Sequence, residues 1–206
     1  FTVGCRAARR GMIPCGKDEY VKGQSAVVFG GGTIGIAAAV AFKYFGMDKV
    51  MICDRSEVRL EIARKLGFAV CNNMKEDFLE CASDYFGTAP SLGGMTADID
   101  CMLDAAGAES ILDDFLRLGK IESRFVSVAV NNAPRKIDLL HMTYAQQSII
   151  GYMPEDVRDV QEIMASGKWD LVSIITHEFP LDMLEPTIRT AADTEHAGNV
   201  VVKMSS

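Results

Sequence analysis

The sequence predicts an α/β protein built on a doubly wound, parallel, six-stranded sheet in the order 3-2-1-4-5-6, with a C-terminal helix and strand that return past it. Three observations predict it. Short apolar runs alternate with helical stretches of about ten residues, the rhythm of βαβ units with right-handed crossovers. Glycines stand where runs turn or helices stop, at Gly30, Gly31 and Gly32, Gly46 and Gly67. And 206 residues, 49% of them hydrophobic, suffice to bury roughly 70% of the unfolded surface without disulfide or metal support.

The elements follow in order. Val3 to Gly11 has a helical pattern, and residues 16–23 form a polar, Gly-containing connection. Ser25 to Phe29 is a continuous apolar run ending in glycines, as in a strand buried on both faces. Thr33 to Tyr44 is a small-residue helix stopped by Gly46. Val50 to Cys53 is the second strand, and Ser56 to Leu66 a helix whose Val58, Ile62 and Leu66 recur every four residues before Gly67. Ala69 to Cys71 is a short third strand, Met74 to Phe86 a helix, and Gly87 to Thr96, with its Pro and Gly-Gly, a loop. Ile99 to Leu103, Arg124 to Val130 and Ser148 to Tyr152 supply the remaining strands, with helices at Glu109 to Leu118 and Glu155 to Ser166, the latter after Pro154. From Trp169 the rhythm breaks: an apolar run to Thr176, a helix from Leu181 to about Ala192, and a strand, Asn199 to Lys203, with no evident partner.

Charge and cysteine usage exclude several classes. A formal net charge of −7, with basic residues concentrated only at Arg6 to Arg10, argues against nucleic acid as a partner. Cysteines at 5, 15, 53, 71, 81 and 101 form no C-x-x-C pair and sit mostly in apolar runs, as reduced core thiols do. No apolar run approaches the ~18 residues of a membrane span, and no leader stands at the start. A cytoplasmic protein without a membrane partner is expected. The first residue is Phe1 rather than Met, within a helical pattern, so the chain is expected to be a fragment.

Gly30-Gly31-Gly32-Thr33-Ile34-Gly35 fits G-x-G-x-x-G, and it follows a predicted strand and opens a predicted helix, the context this motif requires. Gly30 allows the tight turn, Gly32 lets the backbone approach a pyrophosphate, and Gly35 lets the helix lie close to the strand. The free N–H groups of the first helical turn then face the anion. About 20 residues on, Asp54 ends the second strand, where a carboxylate accepts hydrogen bonds from both ribose hydroxyls of NAD and repels a 2′-phosphate. Without a ligand, the glycines would mark only a tight turn and Asp54 an N-cap for the next helix. Arg55 beside it is a potential 2′-phosphate partner, and the balance favours NAD over NADP. This Rossmann-type reading divides the chain into a connecting helix and linker at 1–22, a nucleotide-binding domain at 23–168 and a return segment at 169–206.

Other chemistry is sparse. His141, His177 and His196 lack a Cys or carboxylate at metal-ligand spacing, there is no G-x-S-x-G elbow, and no Tyr precedes a Lys by four positions. The scattered methionines fit a core-filling role and Asp113-Asp114 a solvated helix face. No catalytic group is visible beside the cofactor motif. A non-catalytic NAD sensor and a Rossmann methyltransferase are the competing classes, although a methyltransferase glycine loop usually follows an acidic strand end and here the strand ends in Phe29.

The sequence resembles the medium-chain, zinc-dependent alcohol and polyol dehydrogenases, the branch of sorbitol, butanediol and threonine dehydrogenases. The resembling residues are Val3-Gly4 with Arg9-Arg10, Val27 to Gly35, Asp54 with Arg59-Leu60 and Ala63, Asp104-Ala105-Ala106-Gly107, Ile150-Gly151, and Ile175-Thr176-His177 before Pro180-Leu181. The resemblance implies that Thr33 and Ile34 lie against the pyrophosphate, that Arg59 flanks the adenosine ribose, and that Ala105 and Ala106 line the adenine and ribose side. It also implies that Val128, Ala129 and Val130 lie against the nicotinamide, although Ala129 stands where the family commonly has Gly. Asn199 occupies a slot that is often basic in relatives.

In that family a zinc ion polarises a secondary alcohol for hydride transfer to NAD, giving a ketone. Its ligands, a Cys, a His and an acidic or further Cys residue, belong to an N-terminal catalytic domain, and this chain is expected to begin immediately after the last of them. No metal site and no catalytic residue is therefore transferred. The chain is expected to bind NAD without turning over substrate, while the complete enzyme would use zinc and a small-molecule alcohol. A homodimer or dimer-based oligomer is implied through residues 124–152, whose edge strand invites pairing across a two-fold axis.

Overall fold

The computed structural model describes residues 1–12, 24–130, 134–152 and 157–204; the connection expected at 16–23, Cys15, and the Pro154–Glu155 start of a helix lie outside these. The chain begins with α1 (Thr2–Met12). Three units follow, β1 (Ser25–Phe29) with α2 (Thr33–Tyr44), β2 (Lys49–Asp54) with α3 (Glu57–Lys65), and β3 (Ala69–Asn72) with α4 (Phe78–Phe86). A hairpin of β4 (Thr88–Ser91) and β5 (Gly94–Ala97) leads to β6 (Cys101–Asp104) and α5 (Glu109–Leu118). Next come β7 (Arg124–Ser127), α6 (Leu139–Ala145), β8 (Ser148–Ile150) and α7 (Arg158–Ala165). The C-terminal part holds a 3-10 turn (Leu171–Ile174), β9 (Ile175–Pro180), a second 3-10 turn (Leu181–Met183), α8 (Leu184–Ala192) and β10 (Asn199–Lys203).

Six strands pair in parallel in the order β3-β2-β1-β6-β7-β8. With the hairpin set aside, this is the expected 3-2-1-4-5-6 order of a Rossmann sheet. Alternation along the strands builds two cores. Ala26 and Val28 pack with residues of α1, α2, α3 and α7 on one face, while Val27 and Phe29 pack with α4 and α5 on the other.

The amino ends of the strands are closed by side chains. Arg124, 5% exposed, donates from Nε to the carbonyl of Gly11 (2.6 Å) and from Nη2 to Oε1 of Gln24 (2.6 Å). The Gly11 carbonyl is one that the last turn of α1 leaves without an intrahelical partner, at the negative end of the helix dipole. Lys120 bridges Asp98 and Asp100, and Asp100 accepts from the N–H of Ser25 (2.8 Å). Burial pulls the Lys120 ammonium down, but the two carboxylates outweigh it and hold its pKa above the usual value.

Several elements depart from expectation. Gly87 to Thr96 is not a loop: β4 and β5 pair antiparallel across the two-residue turn Leu92-Gly93. Pro90 is tolerated because this ribbon consists only of edges. The helix expected from Met74 begins at Phe78, because the Asp77 carboxylate takes the N–H of Glu80 (2.9 Å) and fixes the N-cap there. The fifth strand of the sheet stops at Ser127, short of Val130, since the N–H groups of Val128 and Ala129 both turn to the carbonyl of Asp104. The sixth stops at Ile150 rather than Tyr152. The short α6 was not anticipated. The strand without an evident partner, β10, pairs in parallel with β9, and the helix before it splits into a 3-10 turn and α8, whose first turn accommodates Pro186.

Candidate functional site

A cleft of about 470 Å³ opens between the carboxyl ends of β1, β2 and β6, where the sheet order reverses between β1 and β6. Its floor is made by the first turn after β1. Gly30 donates to the carbonyl of Cys53 (2.8 Å) and holds φ +104°, a backbone region that side-chain-bearing residues avoid. Gly35 lies beneath it: a Cβ there would stand 1.7 Å from the Gly30 carbonyl oxygen, so only glycine lets α2 rest on this turn. Gly32 starts α2 in extended conformation and supplies no side-chain cap. The first-turn N–H groups are thus presented at the positive end of the helix without an internal side-chain acceptor.

The second wall comes from β2 and α3. Asp54 is buried, with Oδ2 accepting from the N–H of Gly31 (2.6 Å) and Oδ1 from the N–H of Ser56 (2.8 Å). Arg59 places Nη1 4.0 Å from Oδ2 of Asp54 while its Nε donates to the carbonyl of Ala197 (3.1 Å). Ser56 caps α3 and donates its hydroxyl to the carbonyl of Glu195 (2.5 Å). Residues 195–197 therefore clamp the start of α3. Arg55 is exposed on the same wall.

Opposite stand Ala105 and Ala106, after β6. Ala105 donates to the carbonyl of Phe29 (2.9 Å), and the Asp104 carboxylate accepts from Ala106 (2.9 Å) and Gly107 (2.7 Å). Burial pushes the Asp104 carboxyl above its ordinary pKa, against the pull of these two N–H bonds.

Of the residues singled out in the sequence, Gly30, Gly32, Asp54, Arg55 and Arg59 line this cleft together with the Ala105-Ala106 pair. Thr33 is half-buried and Ile34 exposed on the first turn of α2, while Gly35 supports the floor from below. Val128, Ala129 and Val130 stand outside the lining, beyond β7; the Ala129 methyl faces Gly107, and Val130 is 90% exposed. Asn73, Met74, Ser110 and Thr194 line the cleft and were missed. Asp104-Ala105-Ala106-Gly107 pointed toward Ser110, a helical turn further on, but nothing local marks Thr194.

The chain matches the family described as "Zinc-binding dehydrogenase" over residues 33–168. The chain belongs to the zinc-binding dehydrogenase family. It is 30% identical over 175 residues to L-threonine 3-dehydrogenase of Bacillus velezensis, covering 82% of this chain and 48% of that protein. To sorbitol dehydrogenase 1 of Saccharomyces cerevisiae it is 26% identical, covering 78% and 45%. Among solved structures it resembles 2R,3R-butanediol dehydrogenase of Bacillus subtilis (TM-score 0.80, 19% identity, 99% of this chain and 55% of that one). It also resembles an alcohol dehydrogenase of Escherichia coli solved with NADH (TM-score 0.77, 21% identity, 97% and 56%). At such identities the structures establish the fold alone. The chain spans about half the length of the curated relatives it matches.

For this family member the zinc implied by the resemblance can be tested against the side chains present. Among the described residues the group of His, Cys, Asp and Glu side chains close enough to share an ion is Cys71, Glu76 and Cys81. It contains no histidine, and none of the three lines the cleft. The donors do not fit a Cys, His and acidic set. Among the described residues no helix is long and apolar enough to cross a membrane.

Proposed function

We propose that this chain is the NAD-binding portion of a zinc-type alcohol or polyol dehydrogenase. The observation that carries the reading is the meeting, in one cleft, of an uncapped glycine turn and a buried carboxylate at the end of the neighbouring strand. Gly30, Gly32 and the first turn of α2, with Thr33 and Ile34, would take the pyrophosphate. Asp54 would accept from the adenosine ribose hydroxyls, with Arg59 alongside, and its charge would repel a 2′-phosphate. Ala105 and Ala106 would leave room on the adenosine side, and Val128, Ala129 and Val130, beyond the cleft lining, would approach the nicotinamide. Bound NAD supplies a hydride acceptor for the carbon of a secondary alcohol. The alcohol site and its zinc belong to the complete enzyme, so this chain binds cofactor without turnover.

Calorimetric titration tests the reading. NAD should bind tighter than NADP or S-adenosylmethionine, and Asp54→Ala should weaken NAD at least ~10-fold, about 1.4 kcal/mol. Equal NAD affinity in both proteins would sink the assignment, as would zinc-dependent oxidation of sorbitol, butanediol or threonine by this chain. We further propose a homodimer joined through β8, the edge strand of the sheet. A light-scattering mass of one chain at high concentration would refute it.

A further inference from the structure

Three thiols and a carboxylate converge behind the adenosine wall. Cys71 on β3 is completely buried and lies directly across the strand register from Cys53 on β2. The Cys81 thiol reaches back toward it, donating to the carbonyl of the preceding residue, Val70 (4.0 Å). Cys81 is half-buried in α4, and Glu76 is exposed in the turn before it. The sulfurs of Cys71 and Cys81 and a carboxylate oxygen of Glu76 all lie within 4.8 Å of one another. Neither cysteine is in a disulfide, and the N–H of Asn72 holds Oε2 of Glu76 at 2.8 Å.

We propose that Cys71, Glu76 and Cys81 form a binding site for a thiophilic divalent cation of the zinc class. Two sulfurs with one carboxylate select a borderline-soft, tetrahedral ion over Mg²⁺ or Ca²⁺, which take oxygen ligands only. Metal–sulfur bonds of about 2.3 Å set tetrahedral ligand atoms somewhat under 4 Å apart, so closure asks for movements on the order of 1 Å. The scaffold is ready for it: the donors come from one strand–turn–helix unit, with Cys71 fixed in the β2–β3 ladder and α4 capped by Asp77. Glu76 faces solvent and leaves an entry path and a fourth position for water. Cys53, the register partner of Cys71 on β2, stands beside it as an outer neighbour.

Binding is a proton-for-metal exchange. Both are free thiols, and an ordinary cysteine is mostly protonated at neutral pH. Each thiol gives up one proton as its metal–sulfur bond forms, no group changes oxidation state, and two protons leave per ion.

The reduced chain, titrated with Co²⁺ without oxygen, should take up one ion with a thiolate-to-cobalt charge-transfer band and release two protons, and Zn²⁺ should bleach the band by displacement. Cys81→Ser and Glu76→Gln alter exposed or half-exposed positions and should keep the far-ultraviolet circular dichroism of the parent. Cys81→Ser should abolish the band, Glu76→Gln should weaken Co²⁺ at least ~10-fold, and Cys53→Ser should retain the band. The proposal is overturned if the parent shows no such band, if the band survives in Cys81→Ser, if Glu76→Gln binds as tightly as the parent, or if Cys53→Ser removes it. None of these readouts depends on nucleotide binding.

Discussion

The two ends of the same sheet are finished in opposite ways. At the amino end, long charged side chains complete the structure: Arg124 caps α1 and Lys120 ties Asp98 to Asp100. At the carboxyl end, backbone does this work. Gly30 and Gly35 bring chain against chain, α2 begins without a side-chain cap, and the one buried acid of β2 is held by N–H groups. An end satisfied by side chains has no capacity left for a ligand, whereas an end built from backbone donors keeps directional capacity free. On the proposed reading, binding falls at one end and stability at the other.

That division is breakable. Gly35→Ala should have the largest effect, because its Cβ would overlap the Gly30 carbonyl: about 3 kcal/mol or more of stability lost in urea, and nucleotide binding with it. Arg124→Met should cost about 2–3 kcal/mol by leaving the Gly11 carbonyl and the Gln24 amide oxygen buried without a donor. Its NAD affinity, measured on the folded fraction, should equal that of the parent; a tenfold loss there would dissolve the contrast between the ends. Asp54→Ala, the variant of the titration above, sharpens it from the other side. Stability should fall by only about 1–2 kcal/mol, for two orphaned N–H groups next to a hydrated cleft, while affinity falls further.

The same contrast explains what sequence reasoning could see. Strands buried on both faces, and helices stopped by glycine, are written in contiguous residues, so the parallel sheet and its order were legible. The G-x-G-x-x-G turn and Asp54 were legible too, because their spacing is dictated by one βαβ unit. The β4–β5 hairpin was not: Pro90 and Gly93-Gly94 signal a break with equal force whether or not the flanks pair. Nor was α6, which buries only Ala145 and so carries no amphipathic stripe. Its start rests on the Asp138 carboxylate accepting from Leu140 and His141. Val128, Ala129 and Val130 were read as strand because they prolong the apolar run that begins after Arg124; the pull of the Asp104 carbonyl on two of their N–H groups is a tertiary fact. Thr194 and the clamp at residues 195–197 reach the cleft from far along the chain, where no local pattern could announce them.

That clamp sets an order of events in time. As the chain leaves the ribosome, the glycine turn, Asp54 and the alanines after β6 are all made before residue 107. Arg59 and Ser56 meet their carbonyl partners only after Ala197 has emerged. Within this chain the glycine turn of the cleft is therefore made well before the carbonyls that close the wall at Ser56 and Arg59.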